Sequence, residues 1–364
     1  MTEIISDGAG LAQLCERLGT AEAIGLDTEF MRERTYFAQL CLLQLSVADY
    51  ACCVDTLALR NLNPIRAAMA AAQVPKVLHA ARQDLEVLAP VTGPVIGLFD
   101  TQVAAALIGM PAQVGYGELV QRVLSTTLHK SETRTDWSRR PLTRAQLAYA
   151  LDDVRYLLPL RDRLRQRLEQ LGRWNWFEEE MAELNAIGSF EVDPQQAWRR
   201  IKGFLELDPA RQRLARALAA WREQRAMSAD RPRNWIVPDA ALRDIVLRVP
   251  RTPAELAAAA ALPDGVLNHS GPQILAVIQG ENLPLRLEPL PQRRRPDPAV
   301  SEAVRKLSQL AAQIGRDLGL APEILATRRE MERLVGGARD GAVLTGWRRA
   351  VIGERLLGAL QGAL

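Results

Sequence analysis

The chain has 364 residues, 48% of them hydrophobic and 24% charged, which is enough for two or three domains and too apolar for wholesale disorder. Four cysteines at irregular spacing, no CxxC pair and only three histidines exclude a disulfide scaffold and argue against a zinc finger or zinc hydrolase. The net charge of +3 hides an asymmetry: residues 1–200 hold 21 Lys/Arg against 25 Asp/Glu, a balance of −4, whereas residues 201–364 hold 25 against 18, a balance of +7. A front half that gathers carboxylates and a rear half that meets a polyanion would produce this pattern; so would an arginine-rich genome, since 42 of the 46 cations are Arg.

Met1 to Asp7 carries neither the basic region nor the apolar run of an export signal, and no apolar stretch reaches about 18 residues. The expectation is a soluble, cytoplasmic protein with reduced thiols, no membrane role and no obligate protein partner. Short apolar runs bounded by turn formers or charges predict strands at 23–27, 38–47, 51–55 and 76–79. Helical patterns follow over 63–72 and 84–88. From Thr143 a long helix is predicted, with Leu147, Leu151, Val154, Leu157, Leu158, Leu160 and Leu164 on one apolar face. Strands with interleaved and following helices imply an α/β sheet layered by helices.

Beyond about residue 205 strand signals stop. Helix-forming segments are separated by turns such as Asp230-Arg231-Pro232 and Val249-Pro250-Arg251-Thr252-Pro253. Residues 283–300, with Pro284, Pro289, Pro291, Pro296, Pro298 and the run Arg293-Arg294-Arg295, read as a stiff linker, and the remainder is helical in pattern. The expected organisation is an α/β domain over 1–205, a small helical domain over 206–282, a Pro/Arg-rich linker over 283–300 and a second helical domain over 301–364.

Three separated features share a chemical theme. In Leu26-Asp27-Thr28-Glu29-Phe30, at the end of a strand, Asp27 and Glu29 are two residues apart and project from one face. Two carboxylates held that close invite a hard divalent cation, although an isolated DxE also suits a solvated strand end. In His79-Ala80-Ala81-Arg82-Gln83-Asp84-Leu85 a strand runs into a helix. Asp84 falls in the first helical turn, where the dipole favours a carboxylate whether or not it has a further role, and His79 is not assigned to a metal. In Tyr149-Ala150-Leu151-Asp152-Asp153, Tyr149 and Asp153 share a helix face, while Asp152 is rotated about 100° toward solvent. A Tyr at helical spacing is also ordinary packing.

Taken in this order and spacing, the three features resemble the exonuclease family that uses four acidic residues and a tyrosine. The resemblance narrows to the ribonuclease D family through Gly25-Leu26-Asp27-Thr28-Glu29-Phe30, Leu43-Gln44-Leu45 and the stretch from Lys130 to Leu142 that leads into Tyr149. Trp221-Arg222, Arg225-Ala226, Arg231-Pro232-Arg233 and Pro253-Ala254-Glu255-Leu256 are similar to the helicase-and-ribonuclease-D C-terminal (HRDC) domain. The segment from Leu320 to Arg329, with Gly346-Trp347-Arg348, resembles a second, diverged copy. In the first copy Leu262 to Gly271 replaces the tight Gly-containing turn that many such modules carry before the last helix.

This resemblance implies a ribonuclease H-like domain, a mixed sheet flanked by helices, followed by two all-α domains. It implies a 3′–5′ exoribonuclease that removes nucleotides stepwise, with transfer-RNA precursors as the family's substrate and two Mg²⁺ or Mn²⁺ ions as cofactors. Asp27, Glu29 and Asp153 would surround one ion, Asp27 would bridge to the second, Asp84 would act through the second ion's waters, and Tyr149 would orient the nucleophilic water. A two-ion site suits phosphodiester hydrolysis on chemical grounds as well. Arg231, Arg233, Arg328 and Arg329 are the RNA-phosphate candidates. A DNA 3′–5′ exonuclease with the same carboxylates and a non-catalytic nucleic-acid scaffold are the alternatives. A helicase is disfavoured by the absence of a GxxxxGK[ST] loop, and a dinucleotide enzyme by the absence of GxGxxG.

Overall fold

The apolar runs of the front half form strands in the computed structural model, which describes residues 4–59, 61–128, 135–186, 192–280 and 298–361. Strands β1 (Ile4–Ile5), β2 (Ile24–Met31), β3 (Gln39–Val47), β4 (Tyr50–Asp55), β5 (Lys76–Leu78) and β6 (Leu98–Asp100) make one sheet in the order β1-β4-β3-β2-β5-β6. It is mixed. β1 runs parallel to β4, β2 to β5 and β5 to β6, whereas β3 and β4 are an antiparallel pair with Leu43 opposite Val54. β3 is buried along nearly its whole length, as an interior strand covered on both faces must be. Helices α1 (Gly8–Gly19), α2 (Arg66–Ala70), α3 (Arg82–Thr92), α4 (Thr101–Leu107), α5 (Tyr116–Leu124), α6 (Arg144–Arg155), α7 (Leu157–Gln170) and α8 (Trp174–Ala186) accompany it.

Local chemistry fixes where these helices begin. Asp100, the last residue of β6, caps α4 by accepting from the Gln102 and Val103 N–H groups at 2.8 and 3.4 Å. Thr143 and Gln146 form a reciprocal capping box at the start of α6. The long helix expected from Thr143 is two helices, because Pro159 brings no N–H and its ring excludes the carbonyl of residue 155, so α6 ends and α7 restarts at Tyr156.

The chain divides into two compact units. The first comprises Met1–Met31, Leu40–Phe190 and Asp297–Leu364. Its last piece contains α14 (Pro298–Leu318), α15 (Pro322–Leu325), α16 (Arg328–Val335), α17 (Gly346–Arg348) and α18 (Glu354–Gln361), which follow the helices of the second unit. This helical segment is packed on α8: Trp347 stacks on Trp176 with ring centroids 4.6 Å apart, its N–H donates to Glu179 at 2.7 Å and its indole N–H to Glu180 at 2.7 Å. Arg348 pairs with Glu180, and buried Arg173 donates to the Leu107 and Leu318 carbonyls. At Gly109, whose φ is +100°, a Cβ would lie 2.5 Å from the Gly319 carbonyl oxygen, so only glycine permits that approach.

The second unit comprises Arg32–Gln39 and Glu191–Pro296. It is built from α9 (Pro209–Ala229), α10 (Arg233–Ile236), α11 (Asp239–Arg248), α12 (Pro253–Ala259) and α13 (Asp264–Ile278). Residues 192–205, which the sequence groups with the α/β domain, supply Ala197, Trp198, Ile201 and Phe204 to this helical core, as does Tyr36 from the segment between β2 and β3. Apolar side chains at 197, 198, 201 and 204 belong with whichever surface buries them, and that surface is α9. Of Leu262 to Gly271, expected as a turn before the last helix, residues 264–271 already form the first half of α13, with Pro263 at its start. Of the expected linker, residues 283–297 lie outside the described residues, and Pro298 to Val300 open α14.

Candidate active site

Strand β2 presents Asp27 and Glu29 on one face, as their spacing of two requires. Helix α6 carries Asp153 to them because Gly25 lets it come close. A Cβ at Gly25 would lie 2.2 Å from Ser46 Oγ and 3.3 Å from the Val154 carbonyl oxygen, and Ser46 Oγ itself donates to that carbonyl at 2.8 Å. One carboxylate oxygen each from Asp27, Glu29 and Asp153 therefore falls within 4.8 Å of the others.

Asp84 enters from the β5–α3 turn, in the first turn of α3 as expected, and is only 8% exposed. It accepts a hydrogen bond from Thr28 Oγ1 at 2.5 Å, which ties it to the residue between Asp27 and Glu29. The turn that delivers it is held by Asp100, whose two carboxylate oxygens accept from the Ala80 and Ala81 N–H groups at 3.0 and 2.8 Å. Ala80 sits at φ +57°, a left-handed conformation that costs an alanine about 1 kcal/mol and that these hydrogen bonds maintain. His79 bridges Thr101 Oγ1 and the Val114 carbonyl, so both ring nitrogens are used in packing the turn.

Tyr149 lies one helical turn before Asp153 and its phenol donates to that carboxylate. Its ring is 6.1 Å from that of buried Trp137, within the cluster formed by Cys41, Leu42, Cys53, Ala150 and Leu151. Trp137 is held through Arg140, which grips Asp55 at 2.7 and 2.9 Å and also donates to the carbonyls of Cys41 and Trp137. This explains the Asp136 to Leu142 portion of the stretch before Tyr149; Lys130 to Arg134 lies outside the described residues. Asp152 turns to Arg155 at 2.7 Å.

Burial shifts the four carboxyls upward, and repulsion adds to it, from one another at Asp27 and Glu29, from Asp100 at Asp84 and from Asp152 at Asp153. Glu29 is pushed to about 8 by burial and by Asp153 and Asp84, and Asp153 to about 7 chiefly by burial. Burial takes Asp84 to about 6 against the pull of the Thr28 hydrogen bond. Asp27, facing all three, is raised well above the usual carboxylate range by desolvation and then by Asp84, Asp153 and Glu29. Burial and the neighbouring carboxylates also drive Tyr149 well above the usual phenol value. Among the described residues, no Lys or Arg is a main cause of the shifts of the four acids. An all-oxygen donor set of this kind fits hard divalent cations.

Three residues of this region went unmarked in the sequence: Thr28, Asp100 and Tyr116. Tyr116, whose hydroxyl donates to the Asp152 carbonyl at 3.0 Å, lies close enough to Asp153 and Asp27 for its phenol to be raised by burial and then by both. Asp100 did carry a signal, since an Asp before a helical pattern marks an N-cap. Among the four arginine candidates, Arg231, Arg328 and Arg329 are exposed, and Arg328 pairs with Glu332. Arg233 departs from the expectation of a phosphate anchor: both arms of its fork go to buried Glu223, one of them also reaches Tyr36 Oη, and the guanidinium lies 4.7 Å over the Tyr36 ring. No helix among the described residues is long and apolar enough to cross a membrane.

Comparison with known proteins agrees with this geometry. Residues 2–169 match the family described as 3′–5′ exonuclease, and residues 211–278 match the HRDC domain. The chain is similar to ribonuclease D of Jannaschia sp. (37% identical over 382 residues, covering 100% of this chain and 96% of the relative). It is also similar to ribonuclease D of Granulibacter bethesdensis (38% over 371 residues, covering 99% and 93%). The crystal structure of Escherichia coli RNase D, described as an exoribonuclease involved in structured RNA processing, superimposes with a TM-score of 0.90 at 30% identity, covering 100% of this chain and 99% of that one. The chain belongs to the ribonuclease D family and is a hydrolytic 3′–5′ exoribonuclease.

Proposed function

We propose that this chain trims transfer-RNA precursors in the cytoplasm, one nucleotide at a time from the 3′ end, at a site formed by Asp27, Glu29, Asp84, Asp153 and Tyr149. The observation that carries the reading is the meeting of Asp27, Glu29 and Asp153 within 4.8 Å of one another, with Asp84 joined to them through Thr28. These carboxylates would hold two divalent cations, Mg²⁺ or Mn²⁺, which when bound supply a nucleophile near neutral pH and stabilise charge developing on the leaving oxygen.

The protein's own groups divide the remaining work. The four acids bring negative charge that repels bare phosphate, so ions and RNA are expected to enter together rather than RNA alone. Tyr149 keeps its proton throughout the working pH range, which makes Oη a donor that orients the attacking water and not a base that activates it. Thr28 fixes Asp84 and Gly25 fixes the approach of Asp153, so the acids are placed before any ligand arrives. Arg231, Arg328 and Arg329 would contact RNA phosphates, with residues 301–364 acting as a second RNA-holding module.

The deciding experiment is digestion of a 3′-extended transfer RNA and a matched DNA, each with Mg²⁺, with Mn²⁺ or with chelator, read at nucleotide resolution. The proposal expects a metal-dependent ladder on RNA that Asp27→Ala and Asp153→Ala abolish. Hydrolysis by either purified, folded variant at near wild-type rate would refute the site. Preferential trimming of the DNA would refute the substrate.

A further inference from the structure

We propose that Gln44 is a positioning residue for the hydrolysis: its buried side-chain amide donates to the Asp27 carboxylate from the core side and sets that carboxylate to hold divalent ions. This deepens the exoribonuclease reading above and rests on it. Leu43-Gln44-Leu45 is part of the family resemblance in the sequence, yet nothing in the acidic site as described uses the glutamine. Gln44 lies in β3, an interior strand where apolar side chains are the rule, and it is 0% exposed. Neither its Nε2 nor its Oε1 has a hydrogen-bond partner among the described residues. An amide sealed from water in that state works against folding, so an apolar side chain of the same length would serve the core better. Its place in the strand therefore calls for something that only the amide can do.

The sheet sets Gln44 beside Asp27. β2 and β3 are neighbours, and residues 32–38 are too short a connection for parallel strands, so the two run antiparallel. Their register follows from Gly25 and Ser46. A Cβ on Gly25 would meet Ser46 Oγ at 2.2 Å, and that Oγ donates to the Val154 carbonyl, so both residues lie opposite each other on the face covered by α6. Two residues on along β2 is Asp27, and two back along β3 is Gln44, which makes them adjacent on that same face and within side-chain reach. The other neighbouring strand agrees: Gln44 lies opposite Cys53 of β4, which packs with Ala150 and Leu151 of α6.

Of the side chains around this amide, Asp27 is the strongest acceptor. Leu42, Ala150 and Leu151 offer none, a cysteine sulfur is a weak one, and the Ser46 hydroxyl is already directed at Val154. A carboxylate takes an amide N–H in a charge-assisted hydrogen bond. Asp27 is partly exposed whereas Gln44 is sealed, so the amide meets the carboxylate from the core and leaves its outer side to ions and RNA. Metal-ligating carboxylates are themselves commonly held by such hydrogen bonds, and losing the partner lowers metal affinity or activity about 10- to 100-fold.

The test is Gln44→Met in the full chain, a side chain of equal length with no N–H to give. Mn²⁺ affinity is read by titration calorimetry, the melting temperature in chelator by thermal shift, and kcat and KM on a 3′-extended RNA. The variant is expected to melt at or above the parent's temperature, because an unpaired amide has left the core, while its Mn²⁺ affinity and kcat each fall about tenfold and KM for RNA stays the same. Should Gln44→Met fail to fold, Gln44→Leu carries the same expectations. Parental Mn²⁺ affinity and kcat in the folded variant would overturn the proposal and leave the amide to Ser46 or Cys53. A lowered melting temperature with the Mn²⁺ affinity unchanged would also overturn it, by reducing Gln44 to core packing. A parent chain that takes up no Mn²⁺ would sink the metal-site reading itself, and that result is seen before any variant is compared.

Discussion

Burial raises the carboxyls of Asp27, Glu29, Asp84 and Asp153 above their ordinary range, which ties the stability of the metal-free protein to pH. In the unfolded chain such carboxyls titrate near about 4, and in the folded site three of them titrate at about 6, 7 and 8. A raised acid pKa contributes its stability below the unfolded value and loses it as pH rises through the folded one. The melting temperature in chelator should therefore fall between about pH 4 and about pH 8, and Mg²⁺ or Mn²⁺ should raise it more at the alkaline end than at the acid end. A flat profile over that window in a thermal-shift series would contradict the cluster's electrostatics. For the same reason Asp153→Asn should abolish hydrolysis yet raise the melting temperature in chelator. Tyr149→Phe removes one hydroxyl that donates to Asp153 and should slow turnover about 10- to 100-fold with little change in RNA affinity. Equal turnover would reduce the phenol to packing against Trp137. At this scale the acids and the tyrosine were legible in the sequence because each chemical type sits at a spacing with geometric meaning. Thr28, Asp100 and Tyr116 were not, because their importance lies in partners 56, 20 and 36 residues away.

Elements bring those residues together, and Gly25 is where β2 and α6 meet. Gly25→Ala places a methyl group against Ser46 Oγ and the Val154 carbonyl and should cost about 1–3 kcal/mol, moving Asp153 away from Asp27. Hydrolysis should drop further than stability does, and Ser46→Ala in the same chain should restore part of both, because it removes the closer obstruction. If Gly25→Ala alone matches the parent in rate and melting temperature, the close packing does not position the site. Arg140→Ala strands the buried Asp55 carboxylate, which Arg140 holds below its usual range against the effect of burial, and should destabilise the fold by about 3 kcal/mol in chemical denaturation. The sequence displayed the longer strands, but β1 and β6, with two and three residues, are too short to show a period. The break at Tyr156 was legible in Pro159, though the continuous leucine face overrode it.

On the scale of the whole molecule, sequence order misleads. Residues 192–205 follow the nuclease segments yet join the helical core around α9, whereas residues 298–361 come after that core yet pack on α8. Composition and motifs reveal domain types along the chain, but not which apolar face will cover which, since Trp176 and Trp347 are 171 residues apart and each looks like an ordinary surface tryptophan until they stack. Removing residues 210–364 would therefore do more than delete the helices of the second unit. It uncovers Trp176 and leaves Arg173 without one of its two carbonyl partners, so it should lower the stability of what remains as well as its affinity. Trp347→Ala isolates the first effect and should cost about 3–5 kcal/mol by denaturant titration. A cost near zero would mean that the stacked pair contributes nothing to the first unit.

Because the first unit is completed by residues 297–364, a ribosome making this chain releases the acidic cluster long before the piece that covers α8 has been polymerised. A transcript cut short ahead of those codons yields a polypeptide with a bare indole and an incompletely bonded guanidinium, which quality-control proteases are equipped to remove. Discontinuous assembly of this kind makes a polypeptide that stops before residue 297 an incomplete first unit.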